Sequence, residues 1–581
     1  MSEPSASERL RALSSGFRHR YLRHDEIETQ LRTWTSAFPQ LARLSSIGKT
    51  REGRELWLLT LGPRPDEVRP SVWVDGNMHA GELSGSSVAL AIAEDVLALH
   101  LGAAPDHGAH ALPTHLHDVL REARVFVLPR MSPDGAEQVL ADGRYVRSVP
   151  RDERHGRAHA RWINEDVDGD GLALLARREH PAGDFVEHPE APGVLVPRTL
   201  DDPPPYYQLF PEGRIEHFDG DTIPTPGYLA DNFPDLNRNF PFRWAPDPQQ
   251  LGAGDFAGSE PEARAVIEHA VAQPSIYVWL NLHTFGGCHI RPPGDVPDPQ
   301  MDPYDLCVYR QLGADAQTIT GYPMVSGFDE FLYEPGKPLF GALSEWAYEH
   351  RGALSWVTEL WDLFARLGMA RPKKFVDIYT SMTRADLLAL WRWDRAENEG
   401  RIFRPWKRVA HPQLGEIEVG GLDRRVGLYN PSFGELPRVC AKMSAYFLRV
   451  AAMVPRLRAR ASVEKLAGDA SRVTFTIENV GYLPTTGVKK SKSLPWNEPL
   501  HLDVTCAGPT LEEPSRAHAP LGHLEGWGRG LGDPGQAIFY PRTPGSASSQ
   551  VARFVVHGTG RVELRASSPR TGSVTATVTV G

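Results

Sequence analysis

The 581 residues carry 63 Lys and Arg against 73 Asp and Glu, a formal net charge of -10, with 41% hydrophobic content. That balance excludes a nucleic-acid binder, which needs clustered cations to neutralise phosphates; the nearest run, Lys489-Lys490-Ser491-Lys492, reads as a solvated loop. No apolar run approaches the ~18 residues of a membrane span, and Met1 to Ser7 lacks the basic and apolar regions of a secretion signal, so a cytoplasmic protein without a membrane partner is expected. Cys288, Cys307, Cys440 and Cys506 show no CxxC spacing, so neither a disulfide framework nor a thiolate metal site is visible.

Residues 1–20 read as a flexible polar tail. Asp25 with Glu28 reads as a capping box, opening a helix on which Ile27, Leu31, Trp34 and Phe38 recur. Strands follow at Arg54 to Leu61 and Ser71 to Val74, then an apolar helix from Leu83 to Leu99, then a strand from Val125 to Leu128 stopped by Pro129. About ninety residues separate Arg147 from Asn237, far beyond the ~12–15 of a structureless loop. They hold an insertion, at about residues 151–232, expected to form a rim over the site. Inside it Asp166-Val167-Asp168-Gly169-Asp170-Gly171 is similar to the first half of a calcium loop. The twelfth position is Arg177 rather than a bidentate Glu, so an acidic turn is the alternative to Ca2+.

Further buried strands are expected at Ile276 to Leu280 and Leu354 to Thr358. Strands alternating with helices indicate an α/β unit with a mixed, mainly parallel sheet over residues 21–455. From residue 456 the texture changes. Val473, Phe475 and Ile477 alternate with polar residues, as do Val574, Ala576, Val578 and Val580. Such period-two runs predict a small antiparallel β-sandwich over residues 456–581.

His79 and Glu82 stand in Asp75-Gly76-Asn77-Met78-His79-Ala80-Gly81-Glu82, directly after a strand and before the apolar helix. Ligands in open α/β sheets collect beyond the carboxyl ends of strands, and an HxxE loop can bring an imidazole and a carboxylate to one point. In isolation, the pair reads equally as a loop histidine and a first-turn acid facing the helix dipole. A catalytic zinc site needs a third protein ligand and an open position for water. His283, following the Trp279 to Leu282 run, stands where such a ligand is required.

HxxE, then Asp235-Leu236-Asn237-Arg238-Asn239-Phe240, then Asn281-Leu282-His283-Thr284, then Thr358-Glu359-Leu360 resembles the carboxypeptidase A/B family of zinc exopeptidases. The match runs in the family's order from about Tyr21 to the mid-450s. The resemblance implies one Zn2+ held by His79, Glu82 and His283, with Asp235 accepting the outer N–H of His79. It implies Glu359 as general base and Arg147 facing the scissile carbonyl. Asn237 and Arg238 would hold a terminal carboxylate, for which a planar guanidinium fork suits both oxygens. Peptides with a free C-terminus would be the substrates.

Three places depart from the family pattern. Counting back from Trp346 and Glu359 places Lys337 where the family has a mobile tyrosine; a short insertion makes Tyr333 the equivalent. Ser132-Pro133-Asp134-Gly135 replaces the usual Asn-Pro-Asp-Gly. The position at the base of the side-chain pocket is Ser344, with Glu345 beside it. Glu345 attracts a basic side chain if it points inward and makes a surface salt bridge if it does not. No inhibitory pro-segment is read ahead of Tyr21, so the chain is expected to be active as made. The rival readings are an amidohydrolase of wall peptides or γ-glutamyl links, and an inactive peptide-binding homologue.

Overall fold

Short apolar runs bounded by Gly and Pro become the strands of one eight-stranded sheet: β1 (Ala42–Lys49), β2 (Glu55–Leu61), β3 (Ser71–Gly76), β4 (Arg124–Leu128), β5 (Ile276–Thr284), β6 (Cys288–Arg291), β7 (Met324–Ser326) and β8 (Leu354–Leu360). Their order is β1-β2-β4-β3-β5-β8-β6-β7. The four central strands, β4, β3, β5 and β8, are parallel, and antiparallel strands flank them. The computed structural model describes residues 6–151, 159–227, 231–334, 336–380, 382–531 and 545–581.

Strands covered on both faces read as continuous apolar runs rather than alternating ones, and every residue of β3, β4 and β5 is buried. The helix Ser84–His100 is buried along nearly its whole length, in contact with β3 on one side and with the helix Leu436–Ala451 on the other. That explains its all-round Ala, Val, Ile and Leu content. A glycine pair lets it start close to the sheet. A Cβ on Gly76 would lie 2.5 Å from the carbonyl carbon of Gly85, so the end of β3 and the first turn of the helix meet backbone to backbone.

The sheet edges run further than the sequence suggests. β5 continues through Asn281 to Thr284, and β8 through Glu359 to Leu360, so His283 and Glu359 are strand residues. The first helix is His24–Ala37, with Arg23 N donating to Glu26 Oε2 at 2.8 Å; the capping position is therefore Arg23, and the Asp25/Glu28 box is corrected. The expected free tail is also corrected in part. Residues 1–5 lie outside the described residues, but Ala6–Ala12 is a helix, Leu10 and Phe17 are buried, and Arg18 pairs with Glu94 and Asp95, each at 2.8 Å. Burying those two apolar side chains fixes the segment against the Ser84–His100 helix.

Residues 152–158 and 228–230 of the insertion lie outside the described residues. Its strands Leu175–Glu179, Phe185–His188, Ala191–Pro197 and Tyr207–Pro211 share a six-stranded sheet with Phe403–His411 and Gly415–Leu422. An isolated inserted sheet would expose unpaired edges and an apolar face. Here Trp162, Ala176 and Phe210 bury against Ile417 and Val419 from the later segment. The insertion thus supplies four strands of a sheet that two strands about two hundred residues downstream complete.

Two four-stranded antiparallel sheets follow. Strand Ala470–Asn479 strictly alternates buried and part-exposed positions, and Val473, Phe475 and Ile477 meet Leu502 and Leu564 of the facing sheet. Arg570 fixes this sandwich to the α/β unit. Its guanidinium, 1% exposed as a residue, donates to the carbonyls of Gly352 at 2.8 Å and Arg351 at 3.2 Å and lies 4.4 Å from the Tyr277 ring centroid.

Candidate metal centre and substrate cavity

Parallel register sets the site. Asn281 stands beside Asp75, Leu282 beside Gly76, and His283 beside Glu359. The HxxE loop leaves the end of β3 at Asn77, whose φ of 56° is the left-handed conformation that Asn tolerates. Asn77 Nδ2 donates to the carbonyls of His79 at 2.7 Å and Ala80 at 3.1 Å, while its Oδ1 accepts from buried Arg130 at 3.0 Å. The loop is thereby held in one shape.

His79, Glu82 and His283 converge. His79 Nδ1 lies 2.8 Å from Glu82 Oε1 and 3.0 Å from His283 Nδ1, and His283 Nδ1 lies 3.0 Å from Glu82 Oε2. The outer nitrogens explain why these atoms face one another. His79 Nε2 is 3.2 Å from Asp235 Oδ1, and His283 Nε2 is 2.5 Å from Asn281 Oδ1. With both Nε2 atoms donating, both Nδ1 lone pairs point at the same spot as the carboxylate. Three buried lone pairs turned on one another repel unless a cation sits among them. Around a tetrahedral ion with bonds of about 2.1 Å, ligand atoms lie about 3.4 Å apart, close to the spacing seen. The donor set fits Zn2+.

Asn281 is itself anchored. Its Nδ2 donates to Asp75 Oδ1 at 2.5 Å, and Asp75 Oδ2 accepts from Trp73 and Trp279 at 2.8 and 2.7 Å. Burial lifts the Asp75 carboxyl to about 6 despite those donors. Burial pushes Glu82 upward, but positive charge on its His79 and His283 side outweighs that and holds the carboxyl well below the usual range. Glu359 moves the other way: burial and the nearby Glu82 charge raise it well above an ordinary glutamate.

Arg147 reaches the centre from the segment before the insertion. Its Nε donates to Asp235 Oδ2 at 2.9 Å and its Nη1 lies 3.9 Å from Glu82 Oε1. Burial opposes its charge, yet the Asp235 carboxylate more than restores it and raises the guanidinium above its usual value. Asp235 thus bonds both His79 and Arg147, and its backbone-capping Oδ1 also accepts from Asn237 N at 2.8 Å. Asn237 Oδ1 accepts from Leu343 N at 2.9 Å, and Arg238 Nη1 donates to the Asn237 carbonyl at 2.7 Å. Among the described residues, buried Arg238 Nε has no hydrogen-bond partner, and burial lowers the guanidinium's pKa. Gly341 packs on this turn; a Cβ there would lie 2.2 Å from the Arg238 carbonyl oxygen.

Two cavities meet at these residues. One is lined by Asn237, Arg238, Tyr333, Ser344, Glu345 and Glu359, together with His79, Arg147 and His283. The other is lined by Glu82, Tyr145, Thr284, Phe285, Tyr379 and Tyr429, again with His79, Arg147, Tyr333 and Glu359. Tyr333 is 56% exposed and borders both, whereas Lys337 pairs with Glu334 at the surface. Ser344 lines the first cavity, and Glu345 is turned inward beside it.

The sequence reading did not single out Asn281 or Asp75 as supports, nor Tyr145, Tyr379 and Tyr429 as walls. Asn281 shares a strand face with His283 by two-residue alternation, a signal available in the sequence. Tyr429 is brought in from a distant segment and had none.

The calcium idea is not supported. Asp166 accepts from the amides of Gly169 and Gly171, Asp168 from Asp170, and Asp170 from Leu172. Asp166, Asp168 and Glu212 do approach one another, but Lys407 Nζ stands 2.8 Å from Asp168 Oδ2, and Arg177 is drawn away to Glu187 and Glu418. The loop is an acidic turn whose cation is a lysine.

Comparison with known proteins places the residues of this site within a family match. The family model described as zinc carboxypeptidase matches residues 27–170 and 232–382. A second, described as a domain of unknown function (DUF8731), matches residues 458–579. The chain is 32% identical over 127 residues to a zinc carboxypeptidase of Saccharothrix mutabilis subsp. capreolus, covering 22% of this chain and 27% of that protein. It is 29% identical over 140 residues to carboxypeptidase Z of Homo sapiens, covering 23% and 20%. It therefore spans little more than a quarter, at most, of these relatives. The crystal structure of carboxypeptidase A from Helicoverpa armigera aligns with 17% identity and a TM-score of 0.36, over 61% of this chain and 69% of that one. The zinc carboxypeptidase match takes in just over half of the residues, and the chain belongs to the zinc carboxypeptidase family.

Proposed function

We propose that the protein is a zinc-dependent carboxypeptidase that removes residues from the C-terminus of peptides. The observation that carries this reading is Arg238: a buried guanidinium with an unpartnered Nε, on the wall of a cavity shared with Glu359 and His79. A buried cation whose nearby acid, Asp235, is already bonded to His79 and Arg147 is costly, and a substrate carboxylate would relieve it. Asn237, whose Oδ1 is taken by Leu343 N, has its amide NH2 left as a second donor. A chain end offers such a carboxylate one residue from a peptide bond, so this pair favours an exopeptidase over a general amidase.

His79, Glu82 and His283 would hold the zinc, which when bound lowers the pKa of water toward ~7 and polarises a carbonyl. Glu359, lifted by burial, accepts the proton of the attacking water at a carboxylate oxygen and passes it to the leaving amine. Arg147, held through Nε by Asp235, offers its terminal nitrogens to the oxygen on which negative charge develops. Tyr333, at the junction of the two cavities, covers the bound chain end.

Mass spectrometry of a peptide and its C-terminal amide tests the reading. Stepwise shortening of the free peptide alone supports it. Cleavage confined to γ-glutamyl or wall-peptide links moves the assignment to the amidohydrolases, and binding without cleavage to the peptide-binding modules. Glu359→Gln should keep zinc, by elemental analysis, while kcat falls by about 10²- to 10⁴-fold; an undiminished rate removes Glu359 from the mechanism.

A further inference from the structure

The molecule carries a formal net charge of -10, yet one cleft reverses that sign. A cavity of about 320 Å³ lies where the sandwich meets the α/β unit. The α/β unit contributes the segment around Arg69 and the end of the helix Thr114–Glu122, and the other side is Arg456, Arg458 and the turn at Ser573. Five lining residues are arginines, Arg64, Arg69, Arg121, Arg456 and Arg458, against two acids, Glu67 and Glu122.

Both acids are already shared. Glu122 accepts from Arg456 Nε and from Arg458 Nη2, each at 2.7 Å. Glu67 stands 3.1 Å from Arg64 Nη1 and 3.5 Å from Arg69 Nη2, and Arg121 turns to Asp118 at 3.1 Å. Three carboxylates thus answer five guanidiniums, which leaves two positive charges over. Next to the lining, buried Arg124 makes no ion pair among the described residues; it donates to Ser71, Pro65, Gln273 and Ser275. Burial and the charge of Arg69 push its guanidinium down to about 10, and Asp66, which pairs with Arg43 at 2.7 Å, offsets only part of that. Burial and Arg64 likewise outweigh Glu67 and lower Arg69. Like charges gathered between two packed units repel unless an anion sits among them.

We propose that this junction binds a doubly charged phosphate, free or as the phosphoryl end of a small molecule, between the α/β unit and the sandwich. Guanidinium forks suit a tetrahedral oxyanion, since each can donate two parallel bonds to its oxygens. Arg69 and Arg121 belong to the α/β unit and Arg458 to the sandwich strand Leu457–Lys465, so the ligand ties the two together. The site is separate from the metal centre, whose two cavities share no lining residue with this one.

Isothermal calorimetry on the full zinc-loaded chain, at fixed ionic strength, tests this with inorganic phosphate and with glycerol 3-phosphate. We expect saturable binding, weakened about 10- to 100-fold by Arg458→Gln or by Arg69→Gln, the range for a hydrogen bond to a charged group. Arg238→Ala, in the substrate cavity, should leave it unchanged. The bound ligand should also raise the midpoint of urea unfolding in the native chain and do so less in Arg458→Gln. Tighter binding of the ester identifies a phosphoryl compound as the occupant, and tighter binding of the ion identifies free phosphate. No saturable binding of either, binding unmoved by both arginine variants of the junction, or binding abolished by Arg238→Ala overturns the proposal.

Discussion

Asn281 shows how a neutral side chain can decide what two histidines do. By accepting from His283 Nε2 it fixes the proton there and turns the Nδ1 lone pair toward His79 and Glu82. Asp75 keeps the Asn281 amide from flipping by taking its Nδ2 hydrogens. Asn281→Leu should therefore weaken zinc affinity by about 10- to 100-fold while leaving the far-ultraviolet circular dichroism unchanged; competition with a chromophoric chelator measures the loss. Arg238→Ala should raise KM for free-ended peptides far more than it lowers kcat, since its contact is made before the chemistry begins. At this scale much was legible. His79 and Glu82 stood out by HxxE after a strand, and the order of motifs shared with the zinc carboxypeptidases joined His283 to them. The pairing of Asn281 with Asp75 was not, because it depends on the register of β3 against β5, which neither strand specifies alone.

The elements that matter most are those that touch without side chains. β3 and the Ser84–His100 helix approach through Gly76 and Gly85, and the HxxE loop is the short span between them. Gly76→Val should force them apart, at a cost of about 1–3 kcal/mol for overpacking. A lowered melting temperature together with reduced zinc content would verify that the glycine serves both fold and site; a stable variant with full zinc would show that the loop does not depend on this contact. The apolar strands and the central helix were readable from their residues. The six-stranded sheet was not, because its halves are separated in sequence and neither buries a face until the other arrives. The acidic turn misled for a related reason. Its matching cation, Lys407, belongs to the later half. Millimolar calcium should accordingly leave the melting temperature unchanged; a rise would reinstate a calcium site there.

Across the whole molecule, the sandwich and the α/β unit share buried polar contacts that neither can satisfy alone. Arg570 caps the carbonyls of Arg351 and Gly352, in the turn between the helix Leu343–Glu349, which carries Ser344 and Glu345, and β8, which carries Glu359. Asp305 accepts from the amides of Lys489 and Lys490 at 2.7 and 3.1 Å, and Tyr277 donates to the Thr485 carbonyl at 2.8 Å. Arg570→Met should leave those carbonyls unmet and cost about 3 kcal/mol, seen in chemical denaturation as an earlier midpoint for loss of both peptidase activity and sandwich structure. Separate transitions for the two would show that the units stand independently. The sequence foretold a sandwich from its alternation but not this joint, since a lone arginine in a turn carries no mark of where its guanidinium will lodge.

Arg570 and Gly352 are 218 positions apart, and that interval has a consequence in time. A ribosome delivers the turn that leads into the strand of Glu359 long before it delivers the guanidinium that braces it. The nascent chain is therefore expected to stay silent toward neighbouring polypeptides until the sandwich has emerged and closed against it.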